Sequence, residues 1–108
     1  MKVPLLDLKE QNAAVEPQLQ EAFRRVLASG QFILGQEVAD LEKNVASLLQ
    51  TKHAIAVSSG TDAILLALMA LGVGPGDEVI CPSFTFFATA GCVARTGAKP
   101  VFADSSPV

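Results

Sequence analysis

Val57-Ser58-Ser59-Gly60-Thr61-Asp62-Ala63 joins two apolar segments of different character. Before it runs Ala54-Ile55-Ala56-Val57-Ser58, short and continuous, which predicts a buried strand. After it, Ala63 to Leu71 is apolar on nearly every side and stops at Gly72, which predicts a helix needing cover all round. The joint itself is small and polar, as a strand-to-helix turn must be. Such a turn leaves backbone N–H groups facing the space beyond the strand, at the positive end of the helix dipole. That favours an anion, and a phosphate above all. Gly60 permits close approach and Thr61 can add a hydroxyl. The plainer reading stays open: Thr61 or Asp62 caps the first-turn amides and nothing binds.

Working outward, the alternation continues. Glu78 to Cys81 predicts a second strand, stopped by Pro82. Phe84 to Thr96 contains another helix, ended by Gly97, and Lys99 to Ala103 predicts a third strand. Strand, helix, strand, helix, strand at this spacing indicates βαβ units and a largely parallel sheet, hence an α/β fold. Upstream lie two amphipathic helices. Ala13 to Ala28 carries Val15, Leu19, Ala22, Phe23, Val26 and Leu27 at helical spacing, with Pro17 in its opening turn. Glu37 to about Leu49 carries Val38, Leu41, Val45, Leu48 and Leu49. The chain therefore divides into a helical arm, 1–52, and the start of an α/β domain, 53–108.

Composition narrows the function. Half of the 108 residues are hydrophobic and 18% are charged, which excludes a disordered tail. The formal charge of -3 argues against a nucleic-acid partner, which would require a basic face. The longest uncharged stretch, Val79 to Ala94, falls short of the roughly 20 apolar residues of a membrane span and contains Pro82. Cys81 and Cys92 lack metal-ligand or CxxC spacing, so no metal site and a reduced, cytoplasmic setting are expected. The composition resembles a slice through a larger core more than a self-sufficient small domain.

Other chemistry is weakly signalled. Val57 stands where a nucleophile elbow needs glycine, and the turn lacks the glycines of a dinucleotide fingerprint and the lysine of a P-loop. Gly72-Val73-Gly74-Pro75-Gly76 follows a helix and precedes a strand, so it reads as a connecting turn. Phe84, Phe86 and Phe87 crowd the end of the second strand. Three rings in four residues cannot all face inward on one strand or one helix, so one is expected to project over a cleft, where a flat ligand could stack on it; the alternative is that all three are core. His53 has no carboxylate neighbour in sequence, and Asp104 reads as a turn-starting residue.

Taken together, these residues resemble a known family. Gly30-Gln31-Phe32-Ile33-Leu34-Gly35 followed by Glu42, Ser59-Gly60-Thr61-Asp62-Ala63, Gly74-Pro75-Gly76-Asp77-Glu78-Val79-Ile80 with Pro82-Ser83-Phe84-Thr85-Phe86, and Gly97-Ala98-Lys99-Pro100-Val101-Phe102 with Asp104 are similar, in order and spacing, to motifs of the DegT/DnrJ/EryC1/StrS family of pyridoxal-phosphate-dependent sugar aminotransferases. The resemblance implies the N-terminal part of an aspartate-aminotransferase-like fold, PLP fold type I. It implies that Gly60, Thr61 and Asp62 hold the phosphate of pyridoxal 5'-phosphate and that Phe86 stacks on its ring, leaving Phe84 and Phe87 to pack. The loop of Phe32, Ile33 and Leu34 would lie by the substrate and the contact between the subunits of a homodimer. The substrates implied are a nucleotide-linked keto sugar and an amino-acid donor, glutamate, in polysaccharide or glycosylated-metabolite synthesis. None of Lys2, Lys9, Lys43, Lys52 or Lys99 matches the family's Schiff-base lysine motif, which is expected beyond position 108. The chain is thus expected to hold no catalytic residue and to be inactive by itself. A family dehydratase, with histidine for that lysine, and a non-catalytic phosphate-binding or assembly module are the alternatives.

Overall fold

The computed structural model describes residues 4–104. It falls into two compact units, Met1–Ala56 and Val57–Val108.

The first unit is a pair of helices. Helix α1, Lys9–Ser29, begins a turn earlier than the apolar spacing predicts. Asp7 explains the early start, since its carboxylate accepts the Lys9 N–H at 3.0 Å. Pro17 consequently sits inside the helix rather than in its opening turn. It can donate nothing there, so one backbone bond of the ladder is missing. Helix α2, Gln36–Leu48, matches its expected range to within a residue. Arg25 of α1 binds Glu37 of α2 at 2.9 Å and Glu21 at 3.3 Å. Glu42 Oε1 accepts the N–H of Ala56 at 2.8 Å, tying α2 to the segment that follows it. The apolar stripes are only partly covered within this unit, with Val26, Val38 and Val45 half-buried. Leu19, Phe23, Leu27, Leu41 and Leu48 are exposed.

The second unit carries the α/β pattern. Helix α3 spans Gly60–Ala70, β1 Glu78–Pro82, α4 Ala88–Arg95 and β2 Lys99–Ala103. The two strands pair in parallel, with Glu78 opposite Lys99 and Pro82 opposite Ala103. The Lys99 ammonium meets the Glu78 carboxylate at 2.7 Å across the first rung. Parallel strands cannot be joined by a tight turn, so α4 makes the crossover between them. Its Val93 packs with Cys81 of β1 and with Ala98, and Leu68, Val73 and Val79 close around these three.

One expected strand does not form. Ala54 to Ser58 has no ladder, and the sheet among the described residues has two strands rather than three. A strand exists only where a neighbour takes its backbone groups, and no described segment runs beside this one. The alternating order survives in β1, α4 and β2, and the fold class is α/β as expected.

Gly97 shows how tightly α4 hands over to β2. Its φ is +85°, in the left-handed region, and a Cβ placed there would stand 3.0 Å from Pro75 Cγ. Gly97→Ala should cost about 1–2 kcal/mol from the backbone alone. The expected readout is a lower urea midpoint with an unchanged slope.

Candidate functional site

The turn before α3 is capped by a residue that motif reasoning passed over. Ser59 is the N-cap, and its Oγ accepts the N–H of Asp62 at 3.1 Å. The Ser59 hydroxyl donates in return to Asp62 Oδ2 at 3.0 Å, and the Ser58 hydroxyl donates to the same oxygen. The signal was in the sequence as the S-x-x-D spacing of Ser59 and Asp62, a capping-box pattern. Neither Thr61 nor Asp62 is the cap. Asp62 is instead the acceptor that orders the two serines.

This arrangement decides which amides are free to meet a ligand. The first bond of α3 runs from Ala63 N–H to Ser59 O at 3.0 Å. The Asp62 N–H is taken by Ser59. The N–H groups of Gly60 and Thr61 precede the ladder and find no acceptor among the described residues. They are two of the orphan donors that begin every helix. Gly60 stands in open space, where an added Cβ would meet nothing within 4 Å. Internal packing therefore does not require glycine here, whereas close approach of an outside group would.

The hydrogen bond from Ser58 is the main cause that lowers the Asp62 carboxyl from its ordinary value, followed by that from Ser59. Desolvation opposes them, and the charge of Arg95, the least of the causes, lowers it further. A carboxyl lowered on folding contributes stability that is fully present above its unfolded value and is lost as pH falls through its folded one. Acidification below about pH 4 should therefore destabilise the chain more than its Asp62→Asn variant. Melting temperatures of both across the acid range check this, and parallel acid limbs would contradict it. Ser59→Ala should cost about 1 kcal/mol by removing the cap.

Phe86 meets the turn across a cavity. Thr61, Phe86, Phe87, Ala88, Gly91 and Cys92 are among the residues that line a space of about 470 Å³, with Arg95 at the end of α4 also on its wall. Phe86 is 78% exposed, so its ring has a face available for stacking. Phe84 and Phe87, implied by the resemblance to pack, are 96% and 84% exposed. No layer of the described residues of this unit lies over them, although a Cβ on Gly91 would come within 2.9 Å of the Phe87 ring, so that ring rests on α4.

The other expected residues lie elsewhere. Phe32, Ile33 and Leu34 form the exposed tip of the loop between α1 and α2. Leu34 holds a φ of +49°, unusual for a branched side chain. Gly35 follows it at close quarters, since a Cβ there would be 2.7 Å from Gln31 O. His53 is exposed, and its carbonyl accepts the Thr51 hydroxyl at 3.1 Å. Asp104 sits just past β2, where the Ser83 hydroxyl reaches it at 3.4 Å. Among the described residues no three His, Cys, Asp or Glu side chains gather as a metal site, and no helix is long and apolar enough to cross a membrane.

A parallel βαβ unit preceded by a helix, with Thr61 of that helix's first turn on the wall of a cavity, defines an α/β protein. Residues 14–108 match the DegT/DnrJ/EryC1/StrS aminotransferase family, and the chain belongs to it. It is 53% identical, over its whole length, to a pleiotropic regulatory protein of Geobacillus stearothermophilus, of which it spans 29%. It is 49% identical to the UDP-2-acetamido-2-deoxy-3-oxo-D-glucuronate aminotransferase of Pseudomonas aeruginosa, over 97% of this chain and 29% of that protein. Bacillus subtilis NtdA, crystallised with bound cofactor PMP, superposes with a TM-score of 0.88 at 40% identity, covering 98% of this chain and 25% of that one. The fold is that of the corresponding segment of a pyridoxal-phosphate-type aminotransferase. The chain spans under a third of the length of these relatives.

Proposed function

We propose that this chain supplies the phosphate cradle and the ring-stacking residue of a pyridoxal-phosphate-dependent aminotransferase acting on a keto group of a nucleotide-linked sugar. One observation carries the reading: Thr61, at the helix start with the unengaged amides, and Phe86, with an open ring face, line the same cavity. A phosphate at one end and a flat aromatic ring at the other would satisfy both. Family membership supports the same cofactor, and relatives such as the Pseudomonas aeruginosa enzyme, named for a UDP-linked 3-oxo sugar acid, support the substrate class. Glutamate is the proposed amino donor and the cytoplasm the proposed location.

The residues divide the work by their chemistry. The Gly60 and Thr61 amides would receive the phosphate oxygens, aided by the dipole of α3. Asp62 stands beside an anion site as an anion, and so contributes by drawing the Ser58 and Ser59 hydroxyls to itself and fixing the turn, rather than by touching phosphate. Phe86 would hold the ring by its face. Pyridoxal phosphate, once bound, supplies the electron sink that lets an amino group pass between carbon skeletons. None of these residues moves a proton, so the lysine that does is proposed to lie outside this chain. Phe32, Ile33 and Leu34 would meet substrate or a second subunit, their apolar side chains set at the tip of a tightly wound loop.

Two measurements test this. In the whole protein, Phe86→Ala should weaken pyridoxal phosphate binding about 2- to 12-fold, the equivalent of about 0.5–1.5 kcal/mol of stacking. An unchanged affinity would overturn the assignment. The 108-residue chain mixed with pyridoxal phosphate, glutamate and a keto sugar nucleotide should show no amino transfer above that of free cofactor. Turnover would show that the proton-transfer group is present after all.

A further inference from the structure

Two cysteines of almost equal burial do different things in the second unit. Cys81 is 2% exposed and its thiol donates to the carbonyl of Val79, two residues back in its own strand, at 3.6 Å. Cys92 is 1% exposed and its thiol leaves its own helix. It donates to the carbonyl of Thr61, 31 residues earlier in the chain, at 3.3 Å. A helical hydroxyl or thiol ordinarily returns its proton to the preceding turn of the same helix. Here it goes to the first turn of α3, to Thr61, a residue that lines the cavity.

The neighbouring position adds to this. Gly91 lies under the Phe87 ring, so closely that a Cβ would fall 2.9 Å from Cε1. Two consecutive residues of α4 thus contact two other residues that line the same cavity, Cys92 meeting Thr61 and Gly91 meeting Phe87. Both are small enough for α3 and the aromatic loop to come close. A thiol is a weak donor and otherwise behaves as a small apolar group, so it can bridge a crossing this tight without a buried polar cost.

We propose that Cys92 is a positioning residue for phosphate recognition: its buried thiol, bonded to Thr61 O, holds the first turn of α3 at the place where the Gly60 and Thr61 amides meet the ligand's phosphate. It touches no ligand itself. The inference rests on the proposed cofactor reading, and the test separates the two. Pyridoxal phosphate and pyridoxal share the ring and the aldehyde and differ in the phosphate alone. The ratio of their affinities for the whole protein therefore reports the phosphate turn and is blind to stacking.

Cys92→Ala should lower that ratio about fivefold, the scale of one hydrogen bond. Cys92→Ser, which keeps a donor of similar size, should restore the native ratio. Cys81→Ala should lower the melting temperature and leave the ratio alone. If Cys92→Ala fails to fold, Cys92→Val against Cys92→Ser makes the same comparison. The inference is overturned if Cys92→Ala melts earlier with its ratio unchanged, if Cys92→Ser loses as much as Cys92→Ala, or if Cys81→Ala shifts the ratio equally. A wild-type protein that binds both compounds alike would instead bring down the cofactor reading itself, and the inference with it.

Discussion

Parallel strands have to be joined across the face of their sheet, and in the second unit everything hangs on that crossing. Helix α4 leaves the end of β1 and returns to the start of β2, held by Val93 against Cys81 and Ala98. Toward α3 and the aromatic loop its contact residues are small: Gly91 under the Phe87 ring and Cys92 against Thr61. That smallness lets α3 approach, and so brings the start of one helix into the same cavity as the aromatic loop that opens the other. The cavity is a consequence of how β1 and β2 are connected.

The helix start shows how capping and ligand binding share one set of donors. A helix begins with orphan amides, and a cap satisfies some of them. Ser59 takes the amide of Asp62 and leaves those of Gly60 and Thr61. The cap and the anion site are therefore complementary readings of the same turn. Asp62 is fixed by the two serines, which keeps a negative side chain engaged inside the turn. The lowered carboxyl is the electrostatic trace of that engagement.

The first unit poses a different problem. Both of its helices carry the apolar stripes of elements that lie on a neighbour, yet Leu19, Phe23, Leu27, Leu41 and Leu48 of those stripes stay exposed while Val26, Val38 and Val45 are half-buried. Its polar ties are Arg25 with Glu21 and Glu37, and Glu42 with the Ala56 amide. Exposed ion pairs contribute little each, typically under about 1 kcal/mol. The apolar area left uncovered accords with a chain that spans under a third of its relatives' length.

The sequence by itself determined the elements and the motif that binds them to a family. Period and punctuation located α2, α3, β1, α4 and β2, because a helix or strand is chosen by which side chains recur on one face and by where glycine or proline interrupts. It did not show the strand at Ala54 to Ser58 failing to pair, since pairing depends on a neighbour that local pattern does not contain. Nor did it show Ser59 as the cap in place of Thr61 or Asp62, although the spacing to Asp62 was there to read. Tertiary structure alone decided that Thr61 and Phe86 share a cavity, and that the Cys92 thiol bonds Thr61 across 31 residues while the Cys81 thiol bonds Val79 in its own strand. Contacts of that range are set by how α3 and α4 cross, and a crossing is a property of packed surfaces that no single stretch of chain encodes.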